Sequence, residues 1–211
     1  KKEMPAGTFM VLPSGMSVGC IKPIVVKHEF DKRCRIVREM LIQIGEDPNR
    51  PGLVDTPKRV ALAWDELFSG YKKDPKDCFT TFDLPGCEEL VLLRNIEFVS
   101  HCEHHFMTFS GKAHIGYIPK KGRVVGVSKL ARLLECFSRR LQIQERIGMQ
   151  VTEALMKYLK PLGCACVLEA QHSCISCRGI GKQSSSMITS SMRGVFRKSD
   201  VRHEFFRMIN L

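Results

Sequence analysis

From His28 onward, apolar residues recur at three- and four-residue steps, which indicates a helix with one buried face. This pattern stops at the Gly-Glu-Asp-Pro turn of residues 45–48. A second helix is predicted to begin with Thr56 as its N-cap, followed by proline at the first helical position. Residues 1–27 hold scattered glycine and proline without any period. We therefore predict an extended or mobile arm over residues 1–27 and a helical region over residues 28–70.

Strand-like patterns follow in the middle of the chain. Residues 90–99 are rich in valine, leucine, isoleucine and phenylalanine. Within residues 112–118, Ala113, Ile115 and Tyr117 alternate with His114 and Gly116, as in a half-buried antiparallel strand. After them we expect a helix capped by Ser128, a helix over about 144–159, strands at 164–174 and 186–196, and a final helix at 200–209. This order predicts an α+β fold with an antiparallel sheet, in a catalytic domain over residues 71–211.

Charge and composition narrow the classes of partner. The net charge of +11 suits either a solvated basic surface or an anionic partner. Aromatic residues make up 8% of the chain and are not interleaved with basic ones as in nucleic-acid-binding sheets, so a small anion is favoured over nucleic acid. No apolar run approaches the roughly 18–20 residues of a membrane span, and the ten cysteines fit reduced thiols, so we predict a cytoplasmic protein that does not enter a membrane.

The sequence Cys-Glu-His-His at residues 102–105 brings a thiolate and two imidazoles into one turn of chain. Cys102 and His105 have a Cys-x-x-His spacing that lets both side chains reach one small ion. Catalytic zinc takes three protein ligands and leaves a fourth position for water. The best candidate for the third ligand is Cys174, which we expect at the end of a strand neighbouring the one that ends at Cys102.

A structural zinc site is an alternative that the cysteine spacing leaves open. Cys164-x-Cys166 and Cys174-x-x-Cys177 together could supply four thiolates. Cys164 and Cys166, however, alternate within an apolar strand as small core residues do. Such a site would also leave the histidine pair without a purpose.

Two further histidines stand beside the proposed ligands. His104 precedes His105, and His172 lies two residues before Cys174. A single histidine is most often a surface or core residue, but two that flank a metal site fit proton donors and acceptors. Since zinc makes hydroxide available near neutral pH, the pattern predicts metal-assisted hydrolysis with acid/base catalysis.

Charged residues at two predicted helix starts suggest how a substrate is bound. Glu145 could simply favour its helix dipole, or it could accept hydrogen bonds from the adjacent N–H groups of guanine. Ser128, Lys129 and Arg132 lie at the start of another helix, where free backbone N–H groups favour phosphate. Arg178 adds a cation four residues after Cys174. A solvated surface also explains these cations, but the net charge favours a polyphosphate.

Taken together, the motifs resemble GTP cyclohydrolase I from about residue 28 to the last residue. The match is carried by ordered segments at compatible spacing: Gly45-Glu46-Asp47-Pro48, Thr56-Pro57-x-Arg59, Ser100-x-Cys102-Glu103-His104-His105, Gly111 to Pro119, Gly126-Val127-Ser128-Lys129-Leu130-Ala131-Arg132, Gln142-Ile143-Gln144-Glu145-Arg146, His172-Ser173-Cys174, Arg178-Gly179 and Arg202-His203-Glu204-Phe205.

The resemblance implies a fold, a reaction and an assembly. The fold is the tunnelling fold, with helices on one face of the sheet and sheets that join into a barrel across subunits. The reaction is the zinc-dependent conversion of GTP to 7,8-dihydroneopterin triphosphate and formate, which starts folate or tetrahydrobiopterin biosynthesis. The assembly is a homodecamer with active sites between subunits, and a feedback regulatory protein is a further candidate partner.

The resemblance also assigns roles to residues. Cys102, His105 and Cys174 bind zinc, which activates the water that attacks C8 of the purine. His172 protonates N7, and His104 assists proton transfers on the ribose side. For the rest of the substrate, Glu145 anchors the guanine with Gln144 beside it, and Ser128 contacts the ribose-triphosphate region. The residues that hold the phosphates are Lys129, Arg132, Arg178 and Arg59.

The match has departures, and two rival functions remain. Leu62 stands where some members carry a lysine for phosphate, and the role of Cys177 cannot be assigned. A zinc deaminase needs Pro-Cys-x-x-Cys, but here Ser173 precedes the first cysteine. A zinc-stabilised basic nucleic-acid-binding module explains the charge and the cysteines, but not the histidines or Glu145.

Overall fold

The computed structural model describes residues 23–210, with side chains from His28 onward. Two compact units divide between Ala63 and Trp64. The N-terminal unit holds α1 (Pro23–Gln43) and the first part of α2 (Thr56–Leu67). Helix α1 begins five residues earlier than predicted, so residues 23–27 are helical, and the rest of the predicted arm lies outside the described residues. The predicted domain division at residue 70 stays a prediction.

The second unit contains the remaining elements. Its strands are β1 (Thr81–Asp83), β2 (Val91–Cys102), β3 (Thr108–Ile118), β4 (Arg123–Val125), β5 (Leu141–Gln142), β6 (Gly163–His172) and β7 (Met187–Gly194). Its helices are α3 (Val127–Ser138), α4 (Gln144–Ala154, continued by a π-helical turn over Leu155–Leu159), α5 (Ser173–Ser176) and α6 (Ser199–Ile209). Short 3-10 turns cover Ser69–Lys72, Pro75–Cys78 and Val195–Arg197.

The predicted α+β class is confirmed, with one change to the sheet. Among the described residues, five strands pair in the order β5-β2-β3-β6-β7, while β1 pairs with β4. The sheet is not purely antiparallel, because β5 runs parallel to β2. A parallel neighbour needs a long crossover, and here the chain passes through β3, β4 and α3 before it returns as β5.

The helices cover both faces of this sheet unequally. The larger apolar core joins α3 and α4 to inward residues of β3 and β6 such as Ile115 and Leu168. On the opposite face, α6 packs a smaller cluster around Phe205 against Val167. Gly116 allows this approach, since a Cβ there would stand 2.9 Å from the Phe205 ring. The resemblance implies helices on one face of the sheet. In the structure α3 and α4 cover one face, and the C-terminal helix α6 covers the other.

One end of the sheet gathers the residues that carry chemistry. Strands β2 and β6 flank β3 and both run antiparallel to it, so they end together where β3 begins. In this register Phe109 stands between Ser100 on one side and His172 on the other.

None of the helices within residues 23–210 is long and apolar enough to cross a bilayer.

Candidate metal centre and active site

Three donor side chains meet at this end of the sheet. Cys102 is the last residue of β2, His105 lies in the turn that follows, and Cys174 lies in α5 directly after β6. Their ligand atoms all lie within 4.8 Å of one another. The predicted trio is thus brought together, but Cys174 sits in a helical turn rather than on a strand. Strands β2 and β6 are also not neighbours, since β3 separates them.

The chemistry of this trio fits a zinc ion. Two thiols and one imidazole are the donors of a known class of catalytic zinc site. Burial raises the pKa of the Cys174 thiol, and the nearby Cys102 raises it further. A bound cation offsets both effects, because it stabilises the two thiolates together. Among the described residues, this group is the one in which cysteine, histidine or acidic side chains converge closely enough to hold a metal.

The alternative four-thiolate site is not formed. Cys164 and Cys166 are fully buried in the apolar core, as their alternation predicted. Burial raises the pKa of the Cys164 thiol to about 12, so it does not ionise readily as a ligand must. Cys177 is exposed and lies outside the metal-binding trio.

An ion pair fixes the turn that carries two of the donors. The Arg146 guanidinium, in the first turn of α4, donates to both carboxylate oxygens of Glu103, with 3.1 Å between Nη2 and Oε1. This hydrogen bonding holds the pKa of the Glu103 carboxyl below its usual range. The Glu103 backbone N–H also donates to the Gln142 carbonyl at 3.1 Å. Glu103 therefore ties the metal-binding turn to α4 and β5.

His104 and Arg178 stand beside the trio. The His104 Nδ1 atom is 3.8 Å from the Cys102 sulfur, and its side chain is exposed. Arg178 Nη1 lies 3.3 Å from His105 Nε2, which is the acceptor because a guanidinium can only donate. The structure thus places one predicted acid/base residue and one predicted phosphate contact next to the predicted ligands.

His172 is held inside the same end of the sheet. Its ring stacks on that of Phe109, with centroids 4.5 Å apart and planes 4° apart. Its Nε2 atom is 2.8 Å from the side-chain oxygen of Gln144. Burial lowers the pKa of the His172 imidazole, while the negative charge of Glu145 acts in the opposite direction. Glu145 itself is exposed in the first turn of α4.

The remaining predicted phosphate contacts lie on two other helices. Ser128, Lys129 and Arg132 lie near the start of α3, and Arg132 neighbours both of the others on the helix surface because it follows them by four and three positions. Helix α3 begins at Val127 after Gly126, so Ser128 is not the N-cap that the sequence predicted. Within residues 23–210, no hydrogen bond or ion pair joins this row to the metal-binding trio.

Arg59 belongs to the N-terminal unit. It lies on α2, and its guanidinium is 3.5 Å from the Asp55 carboxylate. That pair is exposed and joins α2 to the residue just before it, so it contributes little to stability. The predicted phosphate contact of Arg59 stays a prediction.

Sequence reasoning missed two residues of this site. Phe109 supports the His172 ring, and Arg146 holds the metal-binding turn. Strand β3 begins at Thr108, four residues before the predicted strand, so its alternation could have placed Phe109 on the core face. The Arg146–Glu103 pair spans 43 positions and left no local signal.

Comparisons with known proteins show which family this chain is similar to. The family model described as GTP cyclohydrolase I matches residues 34–210. The chain is 51% identical over 171 residues to GTP cyclohydrolase 1 of Wolinella succinogenes, covering 80% of this chain and 91% of that protein. It is 50% identical over 166 residues to the Thermobifida fusca protein of the same name, covering 78% and 80%. It is also 48% identical over 176 residues to the Brucella canis protein of that name, covering 82% of each.

A solved structure shows a more distant likeness. The apo form of the archaeosine synthase QueF-Like aligns with a TM-score of 0.41 and 17% identity. The alignment covers 50% of this chain and 93% of that one.

Proposed function

The chain belongs to the GTP cyclohydrolase I family, and we propose that Cys102, His105 and Cys174 bind the zinc ion of its active site. Its activity is the conversion of GTP to dihydroneopterin triphosphate. The observation that carries the assignment of the site is the convergence of the three donor atoms within 4.8 Å. A bound zinc ion would lower the pKa of water so that hydroxide is available near neutral pH.

His172 is the proposed proton donor and acceptor for the purine. Its ring is fixed by Phe109 and Gln144, and a fixed ring keeps its nitrogen aimed at one atom of a bound substrate. His104 is exposed next to Cys102 and is the proposed second acid/base group, on the ribose side. His104 lies beside Cys102, and His172 ends the strand that leads into Cys174, which supports a division of labour between the early ring opening and later proton transfers.

Phosphate binding is proposed for the cations around the site. Arg178 contacts His105 and so places positive charge beside the metal-binding trio. The start of α3 has no side-chain cap, and the Lys129 N–H donates to the Gly126 carbonyl at 2.9 Å. The N–H groups of Val127 and Ser128 are therefore the ones proposed to meet a phosphate, together with the side chains of Ser128, Lys129 and Arg132. For Arg59, on α2 of the N-terminal unit, the proposed phosphate contact rests on the family resemblance alone. These residues account for part of the net charge of +11.

Assembly is proposed from the family resemblance and from the edges of the sheet. Among the described strands β7 pairs with β6 alone, and most of β2 has β3 as its single neighbour. Open strand edges can be continued by a second copy of the chain. We propose a homodecamer with active sites between subunits, located in the cytoplasm. A monomer mass by light scattering for an active sample would contradict it.

The rival functions have lost their support. A deaminase-type site would use both Cys174 and Cys177, and Cys177 lies outside the trio. The interpretation as a nucleic-acid-binding module is no longer needed, because the chain belongs to a family whose triphosphate substrate explains the basic charge.

Guanine recognition gives a test of the proposed substrate contacts. Replacing Glu145 with glutamine leaves a neutral group with one acceptor oxygen where the guanine N–H groups would meet a carboxylate. We expect kcat/KM for GTP to fall about 10- to 100-fold, the value of a charged hydrogen bond. The ratio of the Kd for ATP to the Kd for GTP, measured by competition binding, should decrease as well.

The matched control is Glu135→Gln on α3. Glu135 is an exposed glutamate paired with Lys73 at 3.7 Å, and its loss should leave GTP binding unchanged. Undiminished discrimination against ATP in Glu145→Gln would remove Glu145 from guanine recognition.

A further inference from the structure

Gln144 is a buried glutamine whose amide is fully engaged. It is the first residue of α4 and is 1% exposed. Its Nε2 atom donates to the carbonyl oxygens of Leu168 at 3.0 Å and Met187 at 2.9 Å, and lies 3.1 Å from the Thr189 hydroxyl. Its Oε1 atom faces His172 Nε2 at 2.8 Å.

These contacts fix which end of the amide points where. A backbone carbonyl can only accept hydrogen bonds, so the group that faces Leu168 and Met187 must be the NH2 end. The oxygen end then faces His172, and an amide oxygen likewise only accepts. The hydrogen between Gln144 and His172 therefore belongs to His172 Nε2.

Two supports together leave the imidazole no freedom. Stacking on the buried Phe109 fixes the plane of the ring, and the hydrogen bond to Gln144 fixes its rotation within that plane. Rotating the ring by half a turn would place a carbon against the Gln144 oxygen and leave a buried acceptor without its donor. That cost is about 1–3 kcal/mol for a neutral group.

We propose that Gln144 is a positioning residue that holds neutral His172 in its Nε2–H tautomer, so that Nδ1 is the nitrogen that exchanges a proton with the substrate. This rests on the proposed role of His172 in the reaction. When the imidazolium gives its Nδ1 proton to a purine nitrogen, the Nδ1–H bond breaks, the new N–H bond forms, and the positive charge moves to the purine. The ring is left as the tautomer that Gln144 accepts.

The hydrogen bond to Gln144 is thus present before and after proton transfer, and it is stronger while the ring is charged. A direct contact between the Gln144 amide and guanine, as the family resemblance implies, would have to displace one of these four partners. The inference therefore replaces a substrate contact with a role that acts through His172.

Kinetics of a matched pair of variants separate these roles. Gln144→Met keeps the size of the side chain and removes the oxygen that faces His172. Thr152→Val is the control, because Thr152 lies on the same helix, is 0% exposed, and has its hydroxyl 2.9 Å from the Ser191 hydroxyl of β7. With zinc bound, kcat of Gln144→Met should fall about 10- to 100-fold while KM for GTP changes little, and Thr152→Val should stay near the wild-type value.

A rise in KM at unchanged kcat would overturn the inference in favour of a guanine contact. An equal loss of kcat in both variants would overturn it in favour of a purely structural role.

The tautomer itself can be read by solid-state ¹⁵N NMR of the full, zinc-loaded chain with labelled histidine. The His172 signals are those missing from a His172→Ala sample. In the wild-type protein the neutral ring should show a protonated Nε2 and a bare Nδ1, and Gln144→Met should show a mixture of both tautomers. A neutral Nδ1–H ring in the wild-type protein overturns the inference, with no dependence on a variant that might misfold.

This spectrum needs no GTP, so it fails or succeeds independently of the proposed reaction. Unchanged turnover in His172→Ala would overturn the proposed role of His172 while the tautomer assignment stood on its own spectrum.

Discussion

A Cys174→Ser variant is expected to lose tightly bound zinc and to turn GTP over about a thousandfold more slowly, or worse. A serine hydroxyl does not ionise near neutral pH, so the trio keeps only Cys102 and His105 as donors. Zinc supplies several kcal/mol of stabilisation to reactions of this type, and each 1.36 kcal/mol is tenfold in rate. Zinc per chain after dialysis and the rate of product formation check the two parts of this prediction.

Cys177→Ser is the matched control for this variant. Cys177 is an exposed thiol three positions further on, outside the trio. It should retain both zinc and turnover. If Cys174→Ser kept one tightly bound zinc and full activity, or if Cys177→Ser lost both, the assignment of the third ligand would be wrong.

A His172→Ala variant is expected to keep zinc and to bind GTP, yet to turn it over about 100- to 10,000-fold more slowly, which is the range for loss of a positioned acid/base group. His172 contacts Phe109 and Gln144, and it is not among the three converging donors. Metal analysis, equilibrium binding of GTP and single-turnover kinetics on one preparation separate these effects.

The control here is His203→Ala, which removes an exposed imidazole on α6 whose Nδ1 atom lies 3.5 Å from the Ser199 hydroxyl. It should behave as the wild-type protein does. Loss of zinc from His172→Ala would mean that His172 is a ligand, and wild-type turnover would remove it from the chemistry.

Much of the fold could be predicted because its elements are long and periodic. The helices α3, α4 and α6 and the strands β6 and β7 lie within a few residues of their predicted places. Strand β5 was missed because two residues carry no period. Its parallel pairing with β2 depends on the path of the chain through α3, which no local pattern records.

Some residues of the site could likewise be predicted from local spacing, whereas the contacts of others depend on tertiary packing. The Cys-x-x-His spacing predicts Cys102 and His105 as two ligands, and the need for a third soft ligand leads to Cys174. The contacts of Gln144 could not be predicted, because they exist only once α4 packs against β6 and β7, with His172 28 positions away. The sequence placed Gln144 beside the guanine by resemblance alone, whereas its burial depends on tertiary packing.

The central claim is that zinc held by Cys102, His105 and Cys174 enables this chain to open the purine ring of GTP. Its most direct test is a titration of the metal-free, assembled protein with zinc, in which formate and the oxidised, fluorescent pterin are measured after incubation with GTP. We predict formate and pterin in equal amounts, with activity that rises to a plateau at one zinc per chain. A zinc-loaded assembly that releases no formate, or a metal-free one that is fully active, would contradict the claim.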